Sequence, residues 1–182
     1  MSESGAARSS AEPGGGAGPG GAGEAPPTWR VLSQELGEAL IQVSDACGDL
    51  VITLRREALL RAAELCRDHP ELQYDYLMDI ATVDYLGQEP RFEVVYNLYS
   101  TRRRHRVRIR VRVPEDDPVV DSLYALWPAA DWFEREGWDL MGIRFRGHPR
   151  LTRILTHPEF VGHPLRKDYP IERRQPLIGP QA

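Results

Sequence analysis

Apolar residues at helical spacing predict two helices near the start of the folded part of the chain. The first is predicted over residues 28–43, where four apolar side chains recur every three or four residues. They are Leu32, Leu36, Leu40 and Val43. The second runs over residues 55–68 and ends before Pro70, which cannot continue a helix. Between them, the β-rich run 50–54 follows a Gly-Asp turn and predicts a short strand.

Three longer strands are predicted next. Residues 72–86 are long enough for a strand with a bend, residues 92–99 alternate between apolar and other side chains, and Gly87–Pro90 joins the two as a hairpin turn. Residues 106–113 alternate strictly between arginine and an aliphatic residue, so one face of this strand should be core. The pattern predicts an α+β fold: an antiparallel or mixed sheet with helices packed on one face.

A charged helix is predicted over residues 131–141. Asp131 is placed to cap its first turn, and Glu134, three residues later, would complete a capping box. Gly142 follows the last helical residue, where a positive φ is commonly needed.

Helical spacing also assigns faces to this helix. Four residues should face the sheet: Phe133, Gly137, Leu140 and Met141. Arg135 and Asp139 should point outward as an i,i+4 ion pair, with Glu136 beside them. Acidic side chains that diverge in this way do not form the converging carboxylate pair that acid–base catalysis requires. A structural role is therefore expected for them.

An extended, proline-rich C-terminal arm follows the helix. Three of its histidines precede proline, as His148-Pro149, His157-Pro158 and His163-Pro164. The residue before a proline is held extended, so these rings should anchor turns rather than converge on a zinc ion. Prolines 158, 164, 170 and 176 exclude a helix. Because the backbone groups of the arm must still be hydrogen-bonded, we expect their partners on another protein subunit.

Composition excludes several classes of protein. Residues 1–27 are rich in glycine and proline and nearly free of large apolar residues, so they should be disordered. No run resembles a signal peptide or a membrane span. The formal net charge of −4 argues against nucleic acid as a partner. The two cysteines, Cys47 and Cys66, are too few for a four-thiolate iron–sulfur or zinc site, and the absence of secretion signals favours reduced thiols in the cytosol.

Seven arginines lie between Arg102 and Arg112 with no acidic residue among them. Two interpretations remain open. The arginines can form a solvated sheet face, or they can bind an acidic partner protein.

Several segments resemble the C subunit of respiratory complex I, the 30 kDa type. The first group begins with Glu134-Arg135-Glu136. It continues with Trp138, Asp139, Leu140, Met141, Gly142, Ile143, Phe145, Gly147, His148, Pro149, Leu151, Arg153, Ile154 and Leu155. The second is the run Gly162, His163, Pro164, Leu165, Arg166, Lys167, Asp168, Tyr169 and Pro170. Upstream, residues 48–50, 74–79 and 83–85 are also similar.

This resemblance implies a subunit of the hydrophilic arm of a proton-translocating NADH:quinone oxidoreductase, without catalytic, cofactor-binding or metal-binding residues of its own. NADH, FMN, iron–sulfur clusters and quinone would be bound by other subunits. The partners implied are subunits D, B and I, on the cytoplasmic face of the inner membrane, with membrane association only through those subunits. Motif residues are then expected at subunit interfaces: Glu134, Arg135, Glu136, Asp139, Gly142, His148, Pro149, Arg153, His163, Pro164, Arg166, Lys167, Asp168, Tyr169 and Pro170.

The resulting organisation is a disordered tail (1–27), an α+β domain of this family (28–146) and a subunit-contacting arm (147–182). Two alternatives remain: the equivalent subunit of a related membrane hydrogenase or other-donor dehydrogenase, or a stand-alone enzyme using the acids of residues 134–139 with His148.

Overall fold

The computed structural model describes residues 26–175. In chain order its elements are α1 (Pro27–Leu36), β1 (Leu40–Ala46), β2 (Asp49–Leu54), α2 (Leu59–Asp68), β3 (Tyr76–Asp84), β4 (Phe92–Ser100), β5 (His105–Val113), β6 (Val119–Asp121), α3 (Ala130–Met141) and β7 (Arg144–Arg146). Of the tail predicted to be disordered, residues 1–25 lie outside the described range, and so do residues 176–182 of the arm.

The central sheet has five strands in the order β1-β2-β5-β4-β3. Strands β3, β4 and β5 form the predicted antiparallel meander, and β2 pairs with β5 in parallel, so the sheet is mixed. A register shift between Leu77 and Asp79 bends β3, which confirms the bend expected in this strand. Strands β6 and β7 form a separate parallel pair. The α+β architecture with a mixed sheet is confirmed.

The first predicted helix is too long. Helix α1 ends at Leu36, and Gly37 adopts φ +50°, a conformation in which glycine carries no steric penalty. Leu40 and Val43 therefore belong to β1, which pairs with β2 across the two-residue turn Cys47-Gly48. Both turn residues have positive φ, as in the tightest hairpin turns. The apolar spacing alone did not separate the end of the helix from the beginning of the strand.

The hydrophobic core lies between one face of the sheet and the helices. The aliphatic residues of β5 point into it and are at most 2% exposed, as the alternation predicts. Helix α3 approaches β3 closely at Gly137, where an added Cβ would lie 2.9 Å from the Thr82 side chain. No helix within residues 26–175 has both the length and the apolar character that a bilayer crossing needs.

Helix α3 begins one residue earlier than predicted, at Ala130, with Ala129 at the N-cap position and no side-chain cap. The predicted capping box of Asp131 and Glu134 is therefore wrong. The Glu134 side chain is fully buried instead of turning back to the start of the helix. Gly142 does occupy the predicted position after the helix, with φ +78°.

Candidate functional site

The carboxylate of Asp139 is the centre of the first cluster in the motif region. Asp139 is fully buried, and its Oδ2 accepts hydrogen bonds from the backbone amides of residues 154, 155 and 156 at 2.9–3.0 Å. Its Oδ1 lies 2.6 Å from Arg153 Nη1 and also accepts from the Thr156 hydroxyl. Burial disfavours the charge, but the Thr156, Arg153 and amide donors prevail and hold the pKa of Asp139 well below its usual range. One helical carboxylate thus fixes residues 153–156 of the arm.

This finding corrects the expected outward orientation of Asp139. No ion pair joins it to Arg135 within the described residues; Arg135 instead donates to the carbonyls of Thr152 and Arg153. The guanidinium of Arg153 continues the connection by donating to the Gly162 carbonyl at 3.1 Å. Asp139 and Arg135 of α3 therefore both bind the arm of the same chain.

The last carbonyls of α3 bind the second part of the arm. The carbonyl of Asp139 accepts from His163 Nδ1 at 3.0 Å, that of Leu140 from the Leu165 amide at 3.1 Å, and that of Met141 from Arg166 Nε at 2.7 Å. Helix-terminal carbonyls lack partners inside the helix, so the arm supplies them. Because a carbonyl only accepts, Nδ1 of His163 carries the proton. Burial lowers the pKa of His163, which favours this neutral form.

Gly142 allows this close approach. An added Cβ at Gly142 would lie 2.6 Å from the side chains of both His163 and Arg166. The positive φ and the missing side chain are therefore both needed at this position. The sequence predicted only the first of these requirements.

Another cluster, apart from the groups at the end of α3, surrounds Arg91, which is 2% exposed. Its guanidinium binds Asp84 through two bonds of 2.8 Å, Glu115 at 2.6 Å, and Asp168 of the arm at 2.7 and 3.0 Å. The Lys167 amide also donates to Asp84 at 2.8 Å. The guanidinium lowers the pKa of both aspartates. This cluster binds the end of the arm to the β3–β4 hairpin.

Sequence reasoning missed Arg91 and Glu115 and gave Asp84 no role. The three acids lie 7, 24 and 77 residues from Arg91, so no local spacing connects them. The one available signal was a single arginine placed immediately before the apolar β4 strand.

Glu134 forms a fourth cluster inside the domain. Its carboxyl lies 2.5 Å from Ser122 Oγ and accepts from the Leu123 amide at 2.7 Å. Burial, with a smaller contribution from the nearby Asp131 carboxylate, raises the pKa of Glu134 to about 7 although the two hydrogen bonds oppose this. Glu134 thus ties the β6–α3 loop to α3.

The remaining motif residues lie on α3, in the case of Glu136, or along the arm. Glu136, Pro149 and Pro170 are exposed, and Pro164 is half-buried. His148 Nδ1 accepts from the Arg150 amide, and its Nε2 lies 3.1 Å from Asp131, so this histidine anchors a turn as predicted. Tyr169 accepts a hydrogen bond from Gln175 and stacks against Phe160. No three histidine, cysteine or acidic side chains within residues 26–175 come together as metal ligands would.

Apolar side chains of the arm point away from these clusters. Four of them are more than half exposed: Leu155 62%, Val161 58%, Leu165 54% and Ile171 98%. The polar motif groups therefore fix the shape of the arm, while its outer side presents aliphatic side chains. That division is typical of a protein-binding surface rather than of a reaction centre.

Known proteins are similar to this chain in sequence and in fold. A family model described as the 30 kDa subunit of respiratory-chain NADH dehydrogenase matches residues 52–175. The C subunit of NADH-quinone oxidoreductase from Citrifermentans bemidjiense is 43% identical over 150 residues, which are 81% of this chain and 92% of that protein. The protein of the same name from Roseiflexus castenholzii is 49% identical over 140 residues, 77% of this chain and 80% of the relative.

Two solved structures have a similar fold. One is described as Nqo5 of the trypsin-resistant fragment (1-134); it has a TM-score of 0.56 and 33% identity, covering 67% of this chain and 97% of the fragment. A chain of an archaeal membrane-bound sulfane sulfur reductase has a TM-score of 0.62 over 79% of this chain and 85% of its own length, but its 22% identity supports similarity of fold alone. The sequence identities and the family match establish that this chain belongs to the family of 30 kDa subunits of respiratory-chain NADH dehydrogenase.

Proposed function

We propose that this chain is the C subunit of an NADH-quinone oxidoreductase and serves assembly rather than chemistry. The observation that carries the proposal is the 43–49% identity to subunits of that name over more than three quarters of the chain. NADH, FMN, the iron–sulfur clusters and quinone are bound by other subunits, and electrons pass through those neighbours. This chain has no active site of its own.

The geometry of the acidic residues supports an assembly role. Glu134 and Asp139 are fully buried and bound to groups of their own chain, while Glu136 is exposed on a different face of α3. A catalytic carboxylate has to reach a substrate, and the two buried ones do not. These contacts argue against the stand-alone enzyme.

The arm is the surface that we assign to the neighbouring subunits, with subunits D, B and I as the proposed partners. Its backbone is held by α3 and by the β3–β4 hairpin of the same chain. The arm therefore has its binding conformation before a partner arrives. The exposed aliphatic residues supply the apolar area that a permanent interface buries. Through these partners the chain lies at the cytoplasmic face of the inner membrane as a peripheral protein.

The test is incorporation into the complex. An affinity tag on this chain should isolate the other subunits from detergent-solubilised membranes, and the isolated chain should neither oxidise NADH nor contain flavin or iron. Replacing Leu155 and Leu165 by arginine should strongly reduce incorporation without changing urea unfolding of the isolated chain. Replacing Ile41, which is similarly exposed but lies on edge strand β1, provides the control. Recovery of the chain without other subunits would contradict the proposal.

A further inference from the structure

The seven arginines of residues 102–112 divide into two groups with different surroundings. Arg110 forms a two-bond ion pair with the buried Glu93 at 2.8 and 3.0 Å, and Arg112 lies 3.7 Å from the same carboxylate. Arg108 donates to Asn97 and lies 4.0 Å from Asp49. These three arginines are satisfied within the sheet face. Their role is structural.

The other four differ. We call Arg102, Arg103, Arg104 and Arg106, at the turn between β4 and β5, the arginine tip. All four are exposed, and within residues 26–175 none of them has a carboxylate within salt-bridge distance. Arg103 donates to the Pro70 carbonyl, and Arg106 packs on the Tyr99 ring at 5.8 Å. Four like charges in five residues repel each other in a chain whose net charge is −4.

The backbone of the arginine tip is nevertheless held firmly. Asp75 accepts from both the amide and the hydroxyl of Thr101, so this acid fixes the turn without forming a salt bridge to an arginine of the tip. The Arg104 amide donates to the Ser100 carbonyl at 2.8 Å, with Arg104 at φ +55°. His105 donates to the Leu72 carbonyl at 2.9 Å and stacks on Tyr74 with 4.6 Å between ring centroids. The unpaired charges therefore stand on a pre-shaped turn.

A recess of about 500 Å³ lies beside the tip, between it and the β1–β2 turn. Its lining includes the acidic side chains Asp45 and Asp49 on the β1–β2 side, and Tyr99, Arg104 and Arg106 on the side of the tip. A side chain entering on the side of the tip would contact the Tyr99 ring and the guanidinium groups of Arg104 and Arg106, whereas Tyr74 is fully buried and out of its reach. Carboxylates suit this geometry, because the planar fork of arginine binds their two oxygens at once.

We propose that the arginine tip binds an acidic segment of another subunit of the same complex, with its carboxylates at the recess between Arg104 and Arg106. This inference rests on the proposed function, because the partner is sought in that complex. A protein partner suits the tip better than a lipid surface does. Residues 101–106 carry no large aliphatic or aromatic side chain besides His105 that could enter the bilayer boundary.

The first experiment uses the assembled complex, isolated through a tag on a different subunit and washed at increasing salt. Replacing Arg104 and Arg106 together by glutamate should lower retention of this chain about tenfold at moderate salt, because attraction becomes repulsion. What remains bound should depend less on salt than the wild type does. Replacing Arg61 and Arg67 of α2 by glutamate makes the same charge change elsewhere and should leave retention unchanged. Equal retention of the tip variant and the wild type would overturn the inference.

The two proposals fail in different ways. If the wild-type chain is itself absent from the tagged complex, the proposed function fails. If the wild type is retained and the tip variant is retained equally well, the tip inference alone fails.

Carbodiimide coupling identifies the occupant. Lys167 is the sole lysine of the sequence, so Arg104→Lys and Arg106→Lys each add an amine at the tip while keeping its charge. In the intact complex, this amine should couple to aspartate or glutamate side chains of another subunit. Coupling only to carboxylates of the same chain, either Asp45 and Asp49 of the recess or Glu3, Glu12 and Glu24, would overturn the inference. So would tip-dependent binding of the isolated chain to phosphatidylserine vesicles without any coupling to another subunit.

Discussion

Replacing Glu134 by glutamine should change how the stability of this chain depends on pH. Burial raises the pKa of Glu134 from its ordinary value of 4.5 to about 7, so the folded chain binds this proton more tightly than the unfolded chain. The stabilisation is fully present below pH 4.5 and is lost as the pH rises through 7. At about 1.4 kcal/mol for each tenfold change in proton affinity, the wild type should lose about 3 kcal/mol over this interval.

Glutamine reproduces the protonated carboxyl. Its carbonyl can accept from the Leu123 amide and its NH₂ group can donate to Ser122 Oγ, the two groups that Glu134 contacts. Urea unfolding of the full chain between pH 5 and 8, followed by circular dichroism, measures the difference between variant and wild type. That difference should grow in favour of Glu134→Gln as the pH rises. Glu136→Gln, on an exposed position of the same helix, is the control and should track the wild type.

A flat difference between Glu134→Gln and wild type across this range would refute the reasoning. It would mean that the folded and unfolded chains bind the Glu134 proton equally well despite the burial. A Glu134→Gln variant less stable than wild type at pH 8 would be equally contrary, because the glutamine is expected to satisfy both hydrogen bonds there.

Three further substitutions test the attachment of the arm. Asp139→Ala should lower the free energy of unfolding by about 3–5 kcal/mol, because it removes a buried ion-pair partner and leaves several donors unpaired. Urea unfolding measures this loss, and an unchanged midpoint would contradict it. Arg91→Met should cost a similar amount, about 3–5 kcal/mol, since Asp84 stays buried without its cation, and lowering the pH to protonate that acid should recover part of the loss. Gly142→Ala should destabilise the chain more than Gly147→Ala, because both positions have positive φ but only a Cβ at residue 142 would meet other side chains. Equal decreases in melting temperature would show that the contacts with the arm contribute nothing.

Much of the sheet was predictable because apolar and polar residues alternate along a strand when one of its faces is buried. Strand β5 is the clearest case, with its aliphatic residues in the core and its arginines on the opposite face. Strand β1 was missed because Leu40 and Val43 also fit a helical repeat, and the break depends on the backbone conformation of Gly37. A short apolar run fits the repeat of a helix as well as that of a strand, so the conformation of a single glycine decides where α1 ends and β1 begins.

The candidate site was less predictable, since apolar periodicity does not reveal buried charges. Asp139 was assigned to solvent because helical spacing placed it opposite the apolar face as a partner of Arg135. Its actual partners come from the arm, 14–17 residues later. In the structure, motif residues of α3 and the arm bind each other, and the sequence did not indicate that Asp139 points toward the arm. Whether the arm also contacts other subunits stays a prediction.

The hydrogen bonds between the end of α3 and residues 163–166 also set an order for biosynthesis. The Asp139 carboxylate gains its partners only after the chain has been synthesised through Thr156, and the final carbonyls of α3 only after Arg166. Arg91 gains its third acid only with Asp168. A nascent chain that has reached Arg146 contains every strand of the sheet but lacks the arm groups that bind the Asp139 carboxylate and the last carbonyls of α3. Such an intermediate invites chaperone binding or degradation, so a ribosome pausing within residues 147–168 would reduce the yield of this protein more than a pause of equal length earlier.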